Sequence, residues 1–177
     1  MSRVLSVRWL VLFPVLGAAG AAAQGTPVSF LVRIADMRSS KYACTVLTQD
    51  GQLRREVTAI ERGQIGRPDV FQGAASEDDV KHVRTLLSES DFRAATRNAS
   101  AGLSMVSPTG RILAVEANLD GKLQSVVFAD HTGTTPIPSY LLGVVSFAED
   151  VKSRKLPKIK AKVDSMCRAL SQRTQFP

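Results

Sequence analysis

Apolar residues, many of them β-branched or aromatic, recur at every second position along several segments of the chain, which is the pattern of β-strands. Residues 52–60 show it irregularly, 70–73 show it briefly, and four segments show it clearly: 28–36, 42–48, 112–119 and 122–130. Asp50-Gly51 and Asp120-Gly121 separate consecutive strands, and Asp-Gly is favoured in tight hairpin turns. Since turns this short cannot lead to a parallel strand, the pattern predicts an antiparallel sheet of about five strands.

Two other segments space their apolar residues as amphipathic helices do. The first begins at Ser76, which Asp79 follows three positions later in the arrangement of a capping box. The second spans 139–155 and ends before Pro157, because proline cannot continue a helix. Each hairpin is thus followed by a loop and a helix. We expect an α+β fold of two β-β-α units, with two main helices packed on one face of the sheet.

The first 23 residues have the three parts of a secretory signal peptide. Two arginines come first, residues 9–16 (WLVLFPVL) are apolar, and residues 21–23 are three alanines that suit a signal peptidase. The apolar run is shorter than the roughly 20 residues that a membrane-spanning helix needs. We expect cleavage between Ala23 and Gln24 and export to the periplasm or the medium. An uncleaved membrane anchor is the alternative.

Positive charge is concentrated near the C-terminus. The chain has a formal net charge of +7, and residues 152–173 hold eight Lys and Arg against one acidic residue. We expect an α+β domain over 24–157 and a basic tail over 158–177. A solvated end that aids solubility is the simplest interpretation, but such cations also bind anionic lipid headgroups. The candidate contacts to an anionic membrane surface are Lys152, Arg154, Lys155, Lys158, Lys160 and Lys162.

Cys44 and Cys167 are the two cysteines of the chain, and both remain after signal removal. An isolated pair in an oxidising compartment most often forms a disulfide. On an entropic account such a bond restricts the unfolded chain by roughly 4–5 kcal/mol. It would also hold the basic tail against the domain. Two buried thiols that never meet are the alternative.

Candidate catalytic chemistry is confined to Asp130 and His131, at the end of a predicted strand. An Asp-His pair beside threonines suits a small hydrolase, but no serine lies in a nucleophile elbow, and a hydrogen-bonded turn explains the same residues. Asp78 and His82, one helical turn apart, are too few ligands for a metal. With no phosphate-binding glycine loop, we assign no catalytic residue, metal or cofactor. Aromatic residues make up only 6% of the chain, which argues against nucleic acid as a partner.

The order of several segments resembles a group of small exported bacterial proteins. A signal peptide precedes VRIAD, CTVLTQDG, VFQGAASEDDVKHVRTLL and LQSVVFADHTG, and a helix ending in SRKLPK is followed by a late cysteine. The chain is similar in this to exported proteins of uncharacterised function from soil bacteria such as acidobacteria. The resemblance implies a bacterial envelope protein with paired cysteines, and it implies no activity.

Together these features predict an exported, non-catalytic binding or structural module whose partner is an unknown protein or envelope component. One alternative is a small hydrolase that uses Asp130 and His131. The other is an envelope-surface tether that uses the basic tail.

Overall fold

The computed structural model describes residues 30–61, 64–98 and 110–162, together with Cys167. The predicted signal segment, its cleavage site between Ala23 and Gln24, and most of the predicted basic tail lie outside the described residues. Within the described ranges, no helix combines the length and the apolar character that a membrane crossing requires.

One antiparallel sheet organises the described chain. Its strands run in the order β7-β6-β1-β2-β3-β5-β8, with β4 paired to β3 beside that path. The α+β class and the antiparallel sheet are confirmed, although the sheet has seven strands in its main path rather than about five. The strands are β1 Phe30–Arg38, β2 Lys41–Thr48, β3 Gln52–Glu61, β4 Gln64–Ile65, β5 Asp69–Ala74, β6 Arg111–Leu119, β7 Lys122–Asp130 and β8 Lys158–Ile159.

Strand β1 lies between the two predicted hairpins and joins them into a single sheet. It pairs with β2 on one side and with β6 on the other. The glycine of each Asp-Gly turn has the positive φ that glycine allows, 82° at Gly51 and 74° at Gly121. Asp120 also has a positive φ, of 51°. Glycine has no Cβ to oppose a positive φ, and Asp tolerates it better than most residues.

The described residues include three helices. Helices α1 Glu77–Ser88 and α2 Ser90–Asn98 lie between β5 and β6 in the chain, and α3 Ser139–Ser153 lies between β7 and β8. The capping box that begins α1 is present, with Ser76 and Asp79 each accepting a hydrogen bond from the other's backbone N–H. The two expected helices are therefore α1 and α3. Helix α2 is additional. Of its described side chains Phe92 is buried, and Ala95 packs against the same apolar cluster.

Both faces of the central strands are buried. Helix residues such as Val83, Phe92 and Leu141 pack with Leu113 and Val115 of β6 in the larger apolar cluster. The opposite face carries a second cluster, which includes Phe30, Met37, Tyr42, Ile112 and the two cysteines. The alternation predicted for β6 therefore divides its side chains between two apolar environments.

The basic segment after Pro157 is joined to the sheet. Lys158 and Ile159 form β8 against the β5 edge. Farther along, Arg54 Nη2 donates to the Lys162 carbonyl at 2.7 Å. The predicted disulfide between Cys44 and Cys167 is present, and Tyr42 Oη donates to the Cys167 carbonyl at 2.9 Å. Lys162 and Cys167 therefore both contact the sheet on the face opposite to the helices.

Candidate functional site

A small polar cleft lies between the sheet and the C-terminal half of α3. Strand pairing places its wall residues side by side, since Thr45 is the register partner of both Arg55 and Ile34, and Asp36 is the partner of Leu113. The inner volume is about 10 Å³, which is room for one water-sized group. We call it the Arg55 cleft, and its walls are Ile34, Asp36, Ala43, Thr45, Arg55, Arg111, Leu113, Val145, Ala148 and Glu149.

Arg55 is the most unusual residue of the cleft, because it is a buried cation that no carboxylate contacts. It is 8% exposed. Its Nη1 donates to Thr45 Oγ1 at 3.2 Å and to the Ala148 carbonyl of α3 at 2.9 Å. Its Nε and Nη2 donate to none of the described residues. Two donors of the guanidinium fork are therefore available to a group that enters the cleft.

The acids around the cleft are occupied by other cations. Arg111 holds Asp36 with two hydrogen bonds, Nε to Oδ1 at 2.9 Å and Nη2 to Oδ2 at 2.8 Å. Arg38 lies 3.6 Å from the same carboxylate. Glu149 pairs with Lys152 at 3.1 Å.

Asp36 and Glu149 influence Arg55 only by long-range electrostatics, because neither carboxylate contacts its guanidinium. Burial lowers the pKa of Arg55, and the charges of Glu149 and Asp36 oppose that effect without cancelling it. Arginine stays protonated in proteins despite such shifts. The cleft therefore presents a fixed positive charge that is only partly compensated.

The chemistry of this cleft suits binding better than bond breaking. Its walls contain no His, Cys or Ser, and the Thr45 hydroxyl accepts a hydrogen bond from Arg55. A nucleophile needs an adjacent base to activate it, whereas the carboxylate of Asp36 is held by Arg111. A fork of N–H donors in a small recess is an arrangement that can hold an anion in a fixed orientation.

Asp130 and His131, the candidate catalytic pair, lie where β7 ends. Asp130 Oδ1 accepts hydrogen bonds from the Thr132 backbone N–H, the Thr132 hydroxyl and the Gly133 backbone N–H, at 3.1, 3.1 and 2.9 Å. Burial raises the pKa of the Asp130 carboxyl, but these hydrogen bonds outweigh it and the pKa lies below its usual value. The contacts are those of a turn-stabilising aspartate.

The six candidate contacts to an anionic surface divide into two groups. Lys152 pairs with Glu149, Lys158 pairs with Asp69 at 2.6 Å, and Arg154 pairs with both Asp79 and Asp150. These three cations already have protein partners. The other three are exposed and form no ion pair with any residue in the described ranges, namely Lys155, Lys160 and Lys162.

Asp78 and His82 are exposed on α1. In the part of the chain that the structure describes, no group of three or more His, Cys, Asp or Glu is placed to hold a metal ion.

The second face of the sheet contains buried charges that the sequence pattern does not single out. Arg33 forms an ion pair with Glu116, and its guanidinium lies 5.3 Å from the centre of the Phe30 ring. Arg54 pairs with Glu56 at 2.6 Å. Both pairs lie on the same face of the sheet as the disulfide between Cys44 and Cys167.

The Arg55 cleft was not predicted from the sequence, although one signal for it exists. Arg55 lies two positions from Leu53 and from Val57 in β3, so it shares a face with apolar neighbours. A charged residue on the apolar face of a strand is unusual enough to mark a site. Asp36 and Arg111 carry the same signal, because they lie two positions from Ile34 and Leu113 in their own strands. That the two side chains meet follows only from the pairing of β1 with β6.

Compared with known proteins, the chain matches no family model and no curated protein.

Proposed function

We propose that this protein is an exported, non-catalytic binding module and that it binds its ligand in the Arg55 cleft. The observation that carries the proposal is the buried Arg55 guanidinium with two N–H donors that no described residue accepts. Burying a charge with only part of its hydrogen bonds made costs stability. An anion that accepted the remaining N–H groups would offset this cost, and this supports a ligand at the cleft.

The disulfide and the N-terminal sequence support export. Disulfides persist in oxidising compartments and are rare in the cytosol, and Cys44 and Cys167 are bonded to each other. The basic start, short apolar core and small residues before Gln24 fit a cleaved signal. The periplasm or the medium is therefore the proposed place of action, and the ligand is a component of that space.

Intact mass tests the export half of the proposal. Protein recovered from cells is weighed with and without reduction and thiol alkylation. We expect a chain that begins at Gln24 and takes up alkylating reagent only after reduction. A chain that retains its first residues and has two reactive thiols would contradict export.

Nuclear magnetic resonance tests the binding half. Backbone and arginine side-chain N–H resonances are followed while sodium acetate, sodium phosphate, sodium sulfate and glucose are added separately. We expect at least one solute to shift resonances of the cleft walls in a saturable way, and to do so no longer in Arg55→Met. No saturable shift with any of the four, or shifts confined to another part of the surface, would contradict binding at the cleft.

A further inference from the structure

We infer that two copies of this chain pair through the outer edge of β7, so that their two sheets join into one. The inference is independent of the proposed function, because none of the walls of the Arg55 cleft belongs to β7. It is carried by the backbone groups that β7 turns away from β6, by the contrast between the two edges of the sheet and by the self-complementary sequence of the strand.

The outer edge of β7 is open among the described strands. Strand β7 pairs with β6 over its whole length, and the sheet places no other described strand beside it. Because Asp120 and Gly121 form a two-residue turn, Leu119 and Lys122 exchange backbone hydrogen bonds, and the pattern repeats at every second position. The residues in between therefore point their backbone N–H and C=O groups away from β6, and these residues are Leu123, Ser125, Val127 and Ala129.

The two edges of the described sheet differ in how they are protected. At the far edge, β8 has two residues, directly follows Pro157 and contains Lys158. Short strands, prolines and lysines are the features that keep natural sheet edges from pairing. Strand β7 has nine residues, and its stretch 123–129 (LQSVVFA) contains no charge and no proline. An edge of this kind is a template for a further strand.

Leu123 adds apolar surface to this edge. It is 61% exposed, more than any other large hydrophobic side chain in the described ranges. Val127 and Ala129 lie on the same face of β7, since alternate residues share a face, and both are only partly buried. A strand placed beside β7 would cover this row and remove apolar surface from water.

The sequence of β7 favours a second copy as that strand. An antiparallel pair centred on Val126 gives every residue of β7 a partner in the other copy. Lys122 then faces Asp130 at both ends, and opposite charges directly across an antiparallel pair are favourable. Leu123 faces Ala129, so an apolar neighbour covers it. A register shifted by two residues would separate the charges and leave the strand ends unpaired.

The same register also satisfies the backbone. Residues that point their N–H and C=O groups outward face each other across the two-fold axis, so these groups meet. Asp130 is 5% exposed and its Oδ1 is held by the turn. The charge pair therefore favours this register, while the backbone hydrogen bonds and Leu123 supply most of the affinity. Each copy uses its β7 edge once, so the assembly closes at two copies.

Sedimentation velocity over a wide range of protein concentration tests the inference, on the chain with its disulfide formed. Leu123→Lys places a charge on the edge. Ser125→Pro removes an outward backbone N–H from a position where an edge strand tolerates proline. Leu142→Lys is the matched control, because Leu142 is a 49% exposed leucine on α3.

We expect wild type and Leu142→Lys to form a reversible dimer as the concentration rises. Leu123→Lys and Ser125→Pro should each raise the dissociation constant by about tenfold or more, because every change occurs twice in a two-fold interface. Amide hydrogen exchange in wild type gives an independent measurement. The N–H groups of Leu123, Ser125, Val127 and Ala129 should exchange more slowly in the dimer, because only the partner strand can accept them.

Three results would overturn the inference. A monomer at every concentration would leave the β7 edge to a different partner or to none. A dimer that both edge variants retain, or whose formation does not slow exchange at the four outward amides, would place the contact elsewhere. An assembly larger than two copies would exclude the two-fold pairing. If one edge variant fails to fold, the other variant and the exchange pattern of wild type decide the matter.

Discussion

The contact between Asp79 and Arg154 is expected to be one of the strongest side-chain interactions between α1 and the end of α3. Arg154 Nη1 and Nη2 donate to the two oxygens of Asp79 at 2.7 and 2.8 Å. The side chains are 28% and 20% exposed. The pair therefore lies between an exposed ion pair, worth about 0.2–1 kcal/mol, and a buried pair, whose breaking costs about 3–5 kcal/mol. We expect a coupling free energy of about 2 kcal/mol.

A double-mutant cycle measures this coupling. The free energy of unfolding in urea is determined for wild type, Asp79→Asn, Arg154→Met and the double variant. Asparagine retains an oxygen that accepts the Ser76 N–H, so the helix cap survives the substitution. The matched cycle pairs Arg154 with Asp150, whose side chain is 58% exposed, and should give less than about 1 kcal/mol. Equal coupling in the two cycles, or coupling below about 0.5 kcal/mol for Asp79, would refute the reasoning.

Acid should weaken the same contact. The hydrogen bonds from Arg154 hold the pKa of Asp79 well below its usual value, and burial opposes them only in part. Because the pKa is lower in the folded state than in the unfolded state, the stabilisation is complete above the unfolded value of about 4 and is lost as the pH falls below it. Between about pH 5 and pH 2 the unfolding free energy of wild type should therefore fall more steeply than that of Asp79→Asn. Parallel curves would contradict this.

Three further predictions concern stability. Reducing the disulfide, which joins residues 123 positions apart, should lower the unfolding free energy in urea by up to about 5 kcal/mol; a change below about 1 kcal/mol would contradict this. A Cβ at Gly143 would lie 2.5 Å from Leu86 Cδ2, so Gly143→Ala should lower the unfolding free energy by about 1 kcal/mol. In a Leu86→Ala background the clash is absent, and Gly143→Ala should then raise the unfolding free energy, because alanine favours the helix more than glycine does. Asp130→Ala should lower the unfolding free energy, because it removes the acceptor of three turn hydrogen bonds, and Asp130→Asn, which keeps an acceptor oxygen, should lower it less; equal losses would mean that the turn hydrogen bonds contribute little.

Local patterns predicted the elements whose signals lie in neighbouring residues. The Asp-Gly turns, the capping box at Ser76 and the alternation in β6 all depend on backbone preferences over a few positions, and the structure confirms them. Strand β8 has only two residues, which is too short to carry a local signal, and α2 is a nine-residue helix whose described core contacts are limited to Phe92 and Ala95. Both form because the rest of the sheet supplies a pairing edge or an apolar surface.

The contacts of the candidate site depend on the tertiary structure even more than α2 and β8 do. The sequence places Arg154 in a basic run, and nothing nearby in the chain indicates that Asp79, 75 positions earlier, is its partner. Arg55 likewise meets Thr45 and the Ala148 carbonyl only after β2, β3 and α3 have packed together. The order of residues in the chain therefore does not reveal which charged side chains are paired, because their partners come close only in the folded structure.

By itself, the sequence determined the α+β class, the two hairpins, the main helices and the expectation that the two cysteines bond. These follow from periodicity, turn chemistry and redox compartment, all of which are local or compositional. Only the tertiary structure decided that both hairpins share one sheet through β1, that half of the candidate surface cations are already paired, and that Arg55 is buried without a carboxylate contact. Long-range pairing and burial set the electrostatic environment of a side chain, and that environment determines what the side chain can bind.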